Sequence, residues 1–201
     1  MLLTGCRIGE AIGLPWKQVD LDAVDNEGRQ VGEVHLRGSN TKTRRARTID
    51  LAVSPALHEL LGVMHDAVGG KGRVFELTRS TAEAAANRMR DEYGAPAAFT
   101  WQALRRTCGT YLTNAPSIFG AASIHRSSRQ LGHSTQVAER HYLGTFRGIP
   151  REARTVEAAM QIEAQLARMI ATARRDTQQP RPSTDAAKVR HAPAREQAAL
   201  A

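Results

Sequence analysis

The alternation of apolar and polar residues predicts one small β-hairpin in a chain that is otherwise mostly helical. Apolar side chains occupy every second position in segments 33–37 and 47–51, and a polar turn separates the two segments. A period of two is typical of paired antiparallel strands with one buried face. Elsewhere, apolar residues recur three and four positions apart, as in amphipathic helices. The pattern predicts a mainly α fold of the α+β class with a small antiparallel sheet.

Helix-breaking and capping residues set the ends of the predicted helices in the first half of the chain. Near the start, apolar residues recur at helical spacing until Pro15, so a helix is predicted to end near Leu14. Ser54-Pro55 supplies an N-cap and a first-turn proline for a second helix, which Gly69-Gly70 closes. An Ala-rich helical segment is predicted over residues 81–93.

The second half of the chain is predicted to contain two longer helices and a tail. Thr100 is predicted to cap a helix that Pro116 interrupts, and the Gly-, Ser- and Ala-rich run to Ser128 is interpreted as a loop with a short helix. One amphipathic helix is predicted after Pro150. Its apolar stripe comprises Val156, Met160, Ile162, Leu166, Met169 and Ile170. Residues 174–201 lack periodicity and are rich in Pro, Gln, Ala and Arg, which predicts a disordered basic tail.

The composition fits one folded domain, which we place at residues 1–173, ahead of that tail. The 201 residues are 41% hydrophobic and 24% charged, as in ordinary globular proteins. No stretch approaches the roughly 18 consecutive apolar residues of a membrane span, and no signal peptide is evident. We therefore expect no membrane association and a cytoplasmic location. Cys6 and Cys108 are the two cysteines, and they form neither a disulfide framework nor a zinc-ligand pattern.

The net charge favours a polyanionic partner. The chain has 28 Lys and Arg against 20 Asp and Glu, a net charge of +8. The predicted tail contains six Lys or Arg and three Asp or Glu, so the predicted domain keeps +5. A basic folded body suits nucleic acid. Charge alone does not identify the partner, because many basic proteins bind no nucleic acid.

Two common catalytic motifs are ruled out by their spacing. The segment Gly69-Gly70-Lys71-Gly72 superficially resembles a phosphate-binding loop, but it has His65 where such a loop needs Gly and Gly72 where it needs Ser or Thr. A helix-ending turn explains it better. No Gly-x-Ser-x-Gly occurs, and neither cysteine carries the signature of a nucleophile.

Five short motifs combine residues that suit chemistry on a phosphate. In chain order they are Thr4-Gly5-Cys6-Arg7-Ile8-Gly9-Glu10, Lys42, Gln102-Ala103-Leu104-Arg105-Arg106-Thr107, Leu131-Gly132-His133-Ser134 and Tyr142. Each motif alone is weak, since a helical Arg is usually a solvated charge and a single Tyr is usually a core residue. Together they resemble the tyrosine recombinases, or phage integrases, over residues 2 to about 146. The resemblance implies the mainly α catalytic domain of that family.

Elementary chemistry explains why these residue types belong together. Breaking a DNA phosphodiester while conserving its bond energy calls for a covalent intermediate, so Tyr142 is the candidate nucleophile. Forked guanidinium groups meet the phosphate oxygens on which negative charge develops, a role that fits Arg7 and Arg105. Glu10, three residues after Arg7, is placed to hold that guanidinium. An ordinary surface pair between the two is about as plausible.

The resemblance assigns roles to further residues. It implies that Lys42, in the hairpin turn, delivers a proton to the leaving 5′ oxygen. Arg44, Arg45 and Arg47 are expected to contact DNA backbone, although a solvated charged turn explains Arg44 and Arg45 individually. His133 follows the family's Leu-Gly-His signature, nine residues before the tyrosine, and is expected to hydrogen-bond the scissile phosphate or assist proton transfer.

The sequence departs from the family pattern at two places. Gln102 stands where the family most often has His, so a neutral amide that can still donate a hydrogen bond replaces a group that shuttles protons. Arg7 lies near the start of the chain, whereas family members carry earlier catalytic-domain helices and an N-terminal DNA-clamping domain. We therefore expect the N-terminal part of that architecture to be missing.

The resemblance implies site-specific cutting and rejoining of double-stranded DNA through a 3′-phosphotyrosyl intermediate, with no metal and no nucleotide cofactor. It also implies a homotetramer on paired DNA sites, often with the C-terminal helix passed to a neighbour. Packing of that helix on its own domain is comparably plausible. Two alternatives stay open: a non-catalytic DNA-binding remnant of an integrase, and an unrelated basic helical scaffold. The scaffold would require five spaced motifs to coincide by chance.

Overall fold

A computed structural model describes residues 1–40, 45–119, 123–143 and 148–178 of the chain. This part of the chain contains nine α-helices and three β-strands. The strands are β1 (Val19–Asp20), β2 (Glu33–Leu36) and β3 (Arg47–Asp50). The helices are α1 (Ile8–Ile12), α2 (Pro55–Val68), α3 (Arg79–Asp91), α4 (Trp101–Asn114), α5 (Pro116–Phe119), α6 (Ser123–Leu131), α7 (Thr135–His141), α8 (Val156–Met160) and α9 (Glu163–Gln178). The prediction of a mainly α fold is confirmed.

The three strands form an antiparallel sheet in the order β1-β2-β3. Val34 pairs with Ile49, and both side chains are buried on the face that the sequence alternation predicted. The predicted hairpin is therefore confirmed. The structure adds a third strand, β1, to the two that were predicted, and Val19 of β1 pairs with Val34 of β2. The buried face of the sheet belongs to a hydrophobic core that comprises Cys6, Leu14, Trp16, Val34, Leu36, Ile49, Leu51, Leu61 and Val74.

The limits of α2 agree with the predicted proline and glycine signals. Pro55 occupies the first turn, and Gly69 ends the helix in the left-handed conformation with φ of 63°. Ser54 stands at the N-cap position, but its side chain makes no capping hydrogen bond. The Ala56 amide instead donates to the Glu157 carboxylate at 3.0 Å, so a residue of α8 caps α2. Thr100 caps α4 as predicted, accepting a hydrogen bond from the Ala103 amide.

Two regions differ from the predicted helix pattern. The run to Ser128, predicted as a loop with one short helix, contains α5 and the first part of α6. The apolar stripe after Pro150 does not form one helix, because Gln161 adopts φ of 57° and separates α8 from α9. Helix α9 extends to Gln178, so residues 174–178 are helical rather than part of the tail. The rest of the predicted tail lies outside the described residues.

The packing of α4, α6 and α7 against β3 places the chemically interesting motifs side by side. Helix α6 contacts α4, α7 and β3. Leu131 at the end of α6 packs with Ala138 and Tyr142, which anchors the end of α7. Gly5 approaches Leu131 so closely that a Cβ at residue 5 would lie 2.1 Å from Leu131 Cδ2. The segment before α1 is therefore packed directly on α6. No helix within the described ranges is long and apolar enough to cross a membrane.

Candidate active site

Arg105 is a buried cation held by two backbone carbonyl groups. Its side chain projects from α4 and is 2% exposed. Nη2 donates to the Leu131 carbonyl at 2.6 Å, and Nη1 donates to the Gly5 carbonyl. Burial and the nearby charge of Arg7 lower the pKa of Arg105, but a guanidinium stays protonated in proteins. The guanidinium is therefore a fixed positive charge held by two neutral dipoles.

Glu10 is the acidic centre of the site and is 3% exposed. Its Oε1 accepts a hydrogen bond from Arg7 Nη1 at 3.2 Å, and its Oε2 accepts one from the Arg7 backbone amide at 2.6 Å. The second bond caps the first turn of α1, as an acidic residue at the third helical position commonly does. Because the carboxylate is buried, the pair is not the ordinary surface pair that the sequence also allowed.

Arg47 also binds the Glu10 carboxylate. Its Nη1 and Nη2 donate to Glu10 Oε1 and Oε2 at 2.9 and 2.6 Å, a bidentate pair. Its Nε donates to the Gln130 carbonyl at 3.0 Å, and the Arg47 side chain is 7% exposed. The DNA-backbone contact expected of Arg47 stays a prediction, and in the structure its guanidinium is engaged by Glu10 and Gln130. The long-range pairing with Glu10 is the part of the site that sequence reasoning missed.

The charge state of Glu10 follows from these contacts. Burial alone would raise the pKa of the Glu10 carboxyl. The Arg47 hydrogen bonds, the Arg7 amide and the charges of Arg47 and Arg7 outweigh burial, and the pKa of Glu10 lies below its ordinary value. Glu10 is therefore ionised at neutral pH.

His133 lies in the turn between α6 and α7 and stacks on Tyr142, with ring centroids 5.2 Å apart and ring planes 17° apart. Its Nδ1 is 3.0 Å from the Ser134 carbonyl, which can only accept, so Nδ1 carries a proton. Burial and the charges of Arg105, Arg7 and Arg47 lower the pKa of His133, against the effect of the Ser134 bond. The ring is therefore neutral at pH 7, and Nε2 is an unprotonated acceptor.

No hydrogen-bond partner for His133 Nε2 occurs among the described residues, although this atom is buried. A buried acceptor without a partner costs free energy unless something binds to it. Ser128 Oγ, on α6 before this turn, is likewise buried without a partner in the described structure. Both atoms therefore retain unused hydrogen-bonding capacity within the described ranges.

Tyr142 follows the end of α7 and is 8% exposed. The Asn114 side-chain amide donates to its backbone carbonyl at 2.7 Å. A Cβ at residue 109 would lie 2.7 Å from Tyr142 Cε1, so the ring fits against α4 because residue 109 is glycine. Backbone and ring are thus both held against α4, next to the helical turn that carries Arg105.

The remaining predicted residues are spread around this cluster. Gln102 is exposed in the first turn of α4, three residues before Arg105. Arg45 is exposed and lines a cavity of about 610 Å³ together with Arg129 and His133. Arg129 was not singled out from the sequence, although its place four residues before His133 was an available signal. Lys42 and Arg44 lie outside the described residues.

The cluster as a whole favours a bound anion. Three guanidinium groups, those of Arg7, Arg47 and Arg105, lie close enough to influence one another electrostatically, and Glu10 is the carboxylate among them. Guanidinium groups bind phosphate oxygens bidentately. No group of three or more His, Cys, Asp or Glu suited to a metal occurs within the described ranges.

Comparison with known proteins gives one match. A family model described as "Phage integrase family" matches residues 1–144, which include every candidate site residue from Arg7 to Tyr142. No curated protein and no solved structure matches the chain significantly.

Proposed function

The chain belongs to the phage integrase family, which is a tyrosine recombinase family that acts on DNA, and from this premise we propose that it cuts and rejoins DNA strands at specific sites through a 3′-phosphotyrosyl intermediate. The observation that carries the proposal is the fixed cluster of Arg7 and Arg105 beside the stacked His133 and Tyr142 rings. In this proposal Tyr142 is the nucleophile, His133 is the proton acceptor, and Arg7 and Arg105 are the phosphate-binding groups.

Arg7 and Arg105 bind the scissile phosphate in this proposal. Arg105 is locked by two carbonyls, and among the described residues the Arg7 side chain has a single hydrogen bond, to Glu10. The remaining N–H groups of Arg7 are free to meet phosphate oxygens. Because both guanidinium groups are placed before DNA arrives, they stabilise the charge of the transition state without reorganising.

The cleavage step forms a bond between Tyr142 Oη and phosphorus and breaks the bond between phosphorus and the 5′ oxygen. In the proposal the hydroxyl proton passes to His133 Nε2, because a ring nitrogen without a proton can accept one but cannot donate a hydrogen bond to a phosphate oxygen. Lys42 supplies the proton that the 5′ oxygen takes up. Rejoining reverses these steps with a different 5′ hydroxyl, so no bond energy is lost.

Gln102 and two exposed arginines complete the proposed DNA surface. The Gln102 amide is placed to donate to a phosphate oxygen without exchanging a proton. Arg45 and Arg129 line the cavity next to His133 and are proposed to contact the DNA backbone. We further propose that the chain acts as a homotetramer on paired sites. In the described structure α9 packs on α2 of the same chain.

Arg129→Gln should weaken DNA binding without changing sequence preference, because a backbone contact carries no base information. The slope of log affinity against log salt should fall by about 1, as expected when one phosphate contact is lost. Arg174→Gln is the matched control, since Arg174 is an exposed arginine of α9 that pairs with Glu59. Salt-dependent fluorescence anisotropy with a labelled duplex measures both slopes. Equal slopes for the two variants would show that Arg129 does not contact the DNA.

The test of the proposed function is a covalent trap. The chain is incubated with nicked duplexes of randomised sequence, on which cleavage releases a short oligonucleotide and prevents rejoining. We expect an SDS-resistant adduct. Digestion and mass spectrometry should then place a 3′-linked phosphate on the peptide that contains Tyr142.

Two other outcomes would overturn the proposal. An adduct through a 5′ phosphate, or through another residue, would contradict the assigned chemistry. Tight DNA binding with no adduct at any sequence in the pool would favour the non-catalytic remnant.

A further inference from the structure

Arg47 connects three segments of the site. It begins β3, its Nη1 and Nη2 bind Glu10 of α1, and its Nε binds the Gln130 carbonyl of α6. Each nitrogen of the guanidinium is therefore engaged inside the protein. The Arg47 side chain therefore holds parts of the site together.

We propose that Arg47 is a positioning residue for DNA cleavage: it keeps the Glu10 carboxylate from occupying the Arg7 guanidinium, and it holds the turn that carries His133. The proposal rests on the proposed function, because its kinetic consequence is read in the cleavage step. Its structural consequence is measurable in the free protein.

The first part of the proposal follows from the geometry around Glu10. Arg47 forms the bidentate pair at 2.9 and 2.6 Å, whereas the Arg7 side chain reaches one carboxylate oxygen, at 3.2 Å. A carboxylate left alone with one arginine prefers to form the bidentate pair with it. Without Arg47, Glu10 would therefore turn its two oxygens to Arg7. The N–H groups that are to bind the phosphate would then be occupied.

The second part follows from the turn after α6. Arg47 binds the Gln130 carbonyl and Arg105 binds the next carbonyl, that of Leu131. Gly132 follows with φ of 71°, and a Cβ there would lie 2.8 Å from Arg47 Cδ. The Arg47 side chain thus lies directly over the turn, and His133 is the next residue. Two arginines fix the turn from β3 and from α4.

Arg47 also acts on His133 electrostatically. After burial, the charges of Arg105, Arg7 and Arg47 contribute to lowering the pKa of His133, while the Ser134 carbonyl raises it. Removing the Arg47 charge should therefore raise the pKa of His133. Arg47→Lys keeps the charge but loses the fork, so it separates the electrostatic contribution from the geometric one.

Single-turnover cleavage tests the proposal by comparing Arg47→Gln with Arg174→Gln, which removes the same charge from an exposed arginine that also pairs with a glutamate, Glu59. We expect Arg47→Gln to slow cleavage on the order of 10- to 100-fold, as small misplacements of binding groups do, with duplex affinity close to that of the control. Arg47→Lys should be intermediate. Arg47→Gln combined with Glu10→Gln should cleave faster than Arg47→Gln alone, because the neutral amide no longer occupies Arg7.

An NMR titration of His133 in the free protein makes failure of this proposal distinguishable from failure of the proposed function. We expect a raised His133 pKa in Arg47→Gln, with little change in Arg47→Lys or Arg174→Gln. Unchanged values in all three variants would overturn the proposal whether or not the chain cleaves DNA. Equal losses of duplex affinity and cleavage rate would identify Arg47 as a DNA contact and overturn the proposal. Strictly additive effects of Arg47→Gln and Glu10→Gln on the cleavage rate would also overturn the proposal. If Arg47→Gln fails to fold, cleavage by Arg47→Lys equal to that of the parent chain overturns it.

Discussion

Tyr142→Phe is expected to abolish the covalent adduct with DNA while leaving the fold and DNA affinity nearly unchanged. The substitution removes the hydroxyl alone, and the ring can keep its stacking on His133 and its contact with Gly109. Loss of a nucleophile that acts together with a base and charged groups typically costs at least about 10⁴-fold in rate. Adduct yield on nicked duplexes, with duplex affinity measured in parallel, checks this result.

Tyr93→Phe is the control for this experiment, because Tyr93 is 72% exposed and lies beyond the end of α3. That variant should form the adduct at the yield of the parent chain. An adduct of equal yield from Tyr142→Phe would exclude Tyr142 as the nucleophile.

The elements that could be predicted from the sequence are those whose signals are local. The hairpin follows from the alternation around Val34 and Ile49, and the limits of α2 follow from Pro55 and Gly69. These residues act through backbone geometry or a period of two, which needs no knowledge of distant segments. Even here, the residue that caps α2 is Glu157, about 100 positions away, and the sequence offered Ser54 instead.

The helix predictions were wrong where the residue pattern along the chain is not that of an amphipathic helix, or where it hides a break between two helices. The buried face of α6 includes Ser127, Ser128 and Gln130, so its periodicity is not apolar and the segment resembles a loop. The break between α8 and α9 falls at Gln161 in the left-handed conformation, which usually signals itself by Gly or Asn. A continuous apolar stripe across that position therefore predicted one helix.

For the candidate site, the resemblance carried by the motifs predicted that Arg7, Arg105, His133 and Tyr142 come together, but it did not predict how deeply each is buried. Arg105 and Tyr142 are almost completely enclosed, which depends on packing between α4, α6 and the segment before α1. The resemblance implied that Arg47 contacts DNA backbone. Glu10 covers the Arg47 side chain, through a contact between residues 37 positions apart. A contact at that separation leaves no periodic signal in the sequence.

This burial has an energetic consequence for the free protein. A buried guanidinium whose partners are carbonyl groups pays a desolvation cost that those dipoles offset incompletely. The unpartnered Nε2 of His133 adds to that cost within the described structure. A phosphate that reached Arg105 and Arg7 would recover part of it.

Arg105→Lys is therefore expected to lower cleavage on the order of 10²- to 10³-fold, while DNA affinity changes much less. An ammonium group cannot span the Gly5 and Leu131 carbonyls as the planar fork does, so the positive charge remains but its position is lost. Arg106→Lys is the matched control, because Arg106 is the exposed neighbour on the same helix.

Single-turnover rates at saturating DNA, together with duplex affinities, measure the two effects separately. The neighbouring Arg7→Lys change should behave in the same way, since it also exchanges a fork for a point charge. Parallel losses of affinity and rate in Arg105→Lys would instead mark Arg105 as a ground-state backbone contact. A selective loss of rate places its guanidinium on the phosphate in the transition state, because interactions made equally in the bound ground state do not accelerate the chemical step.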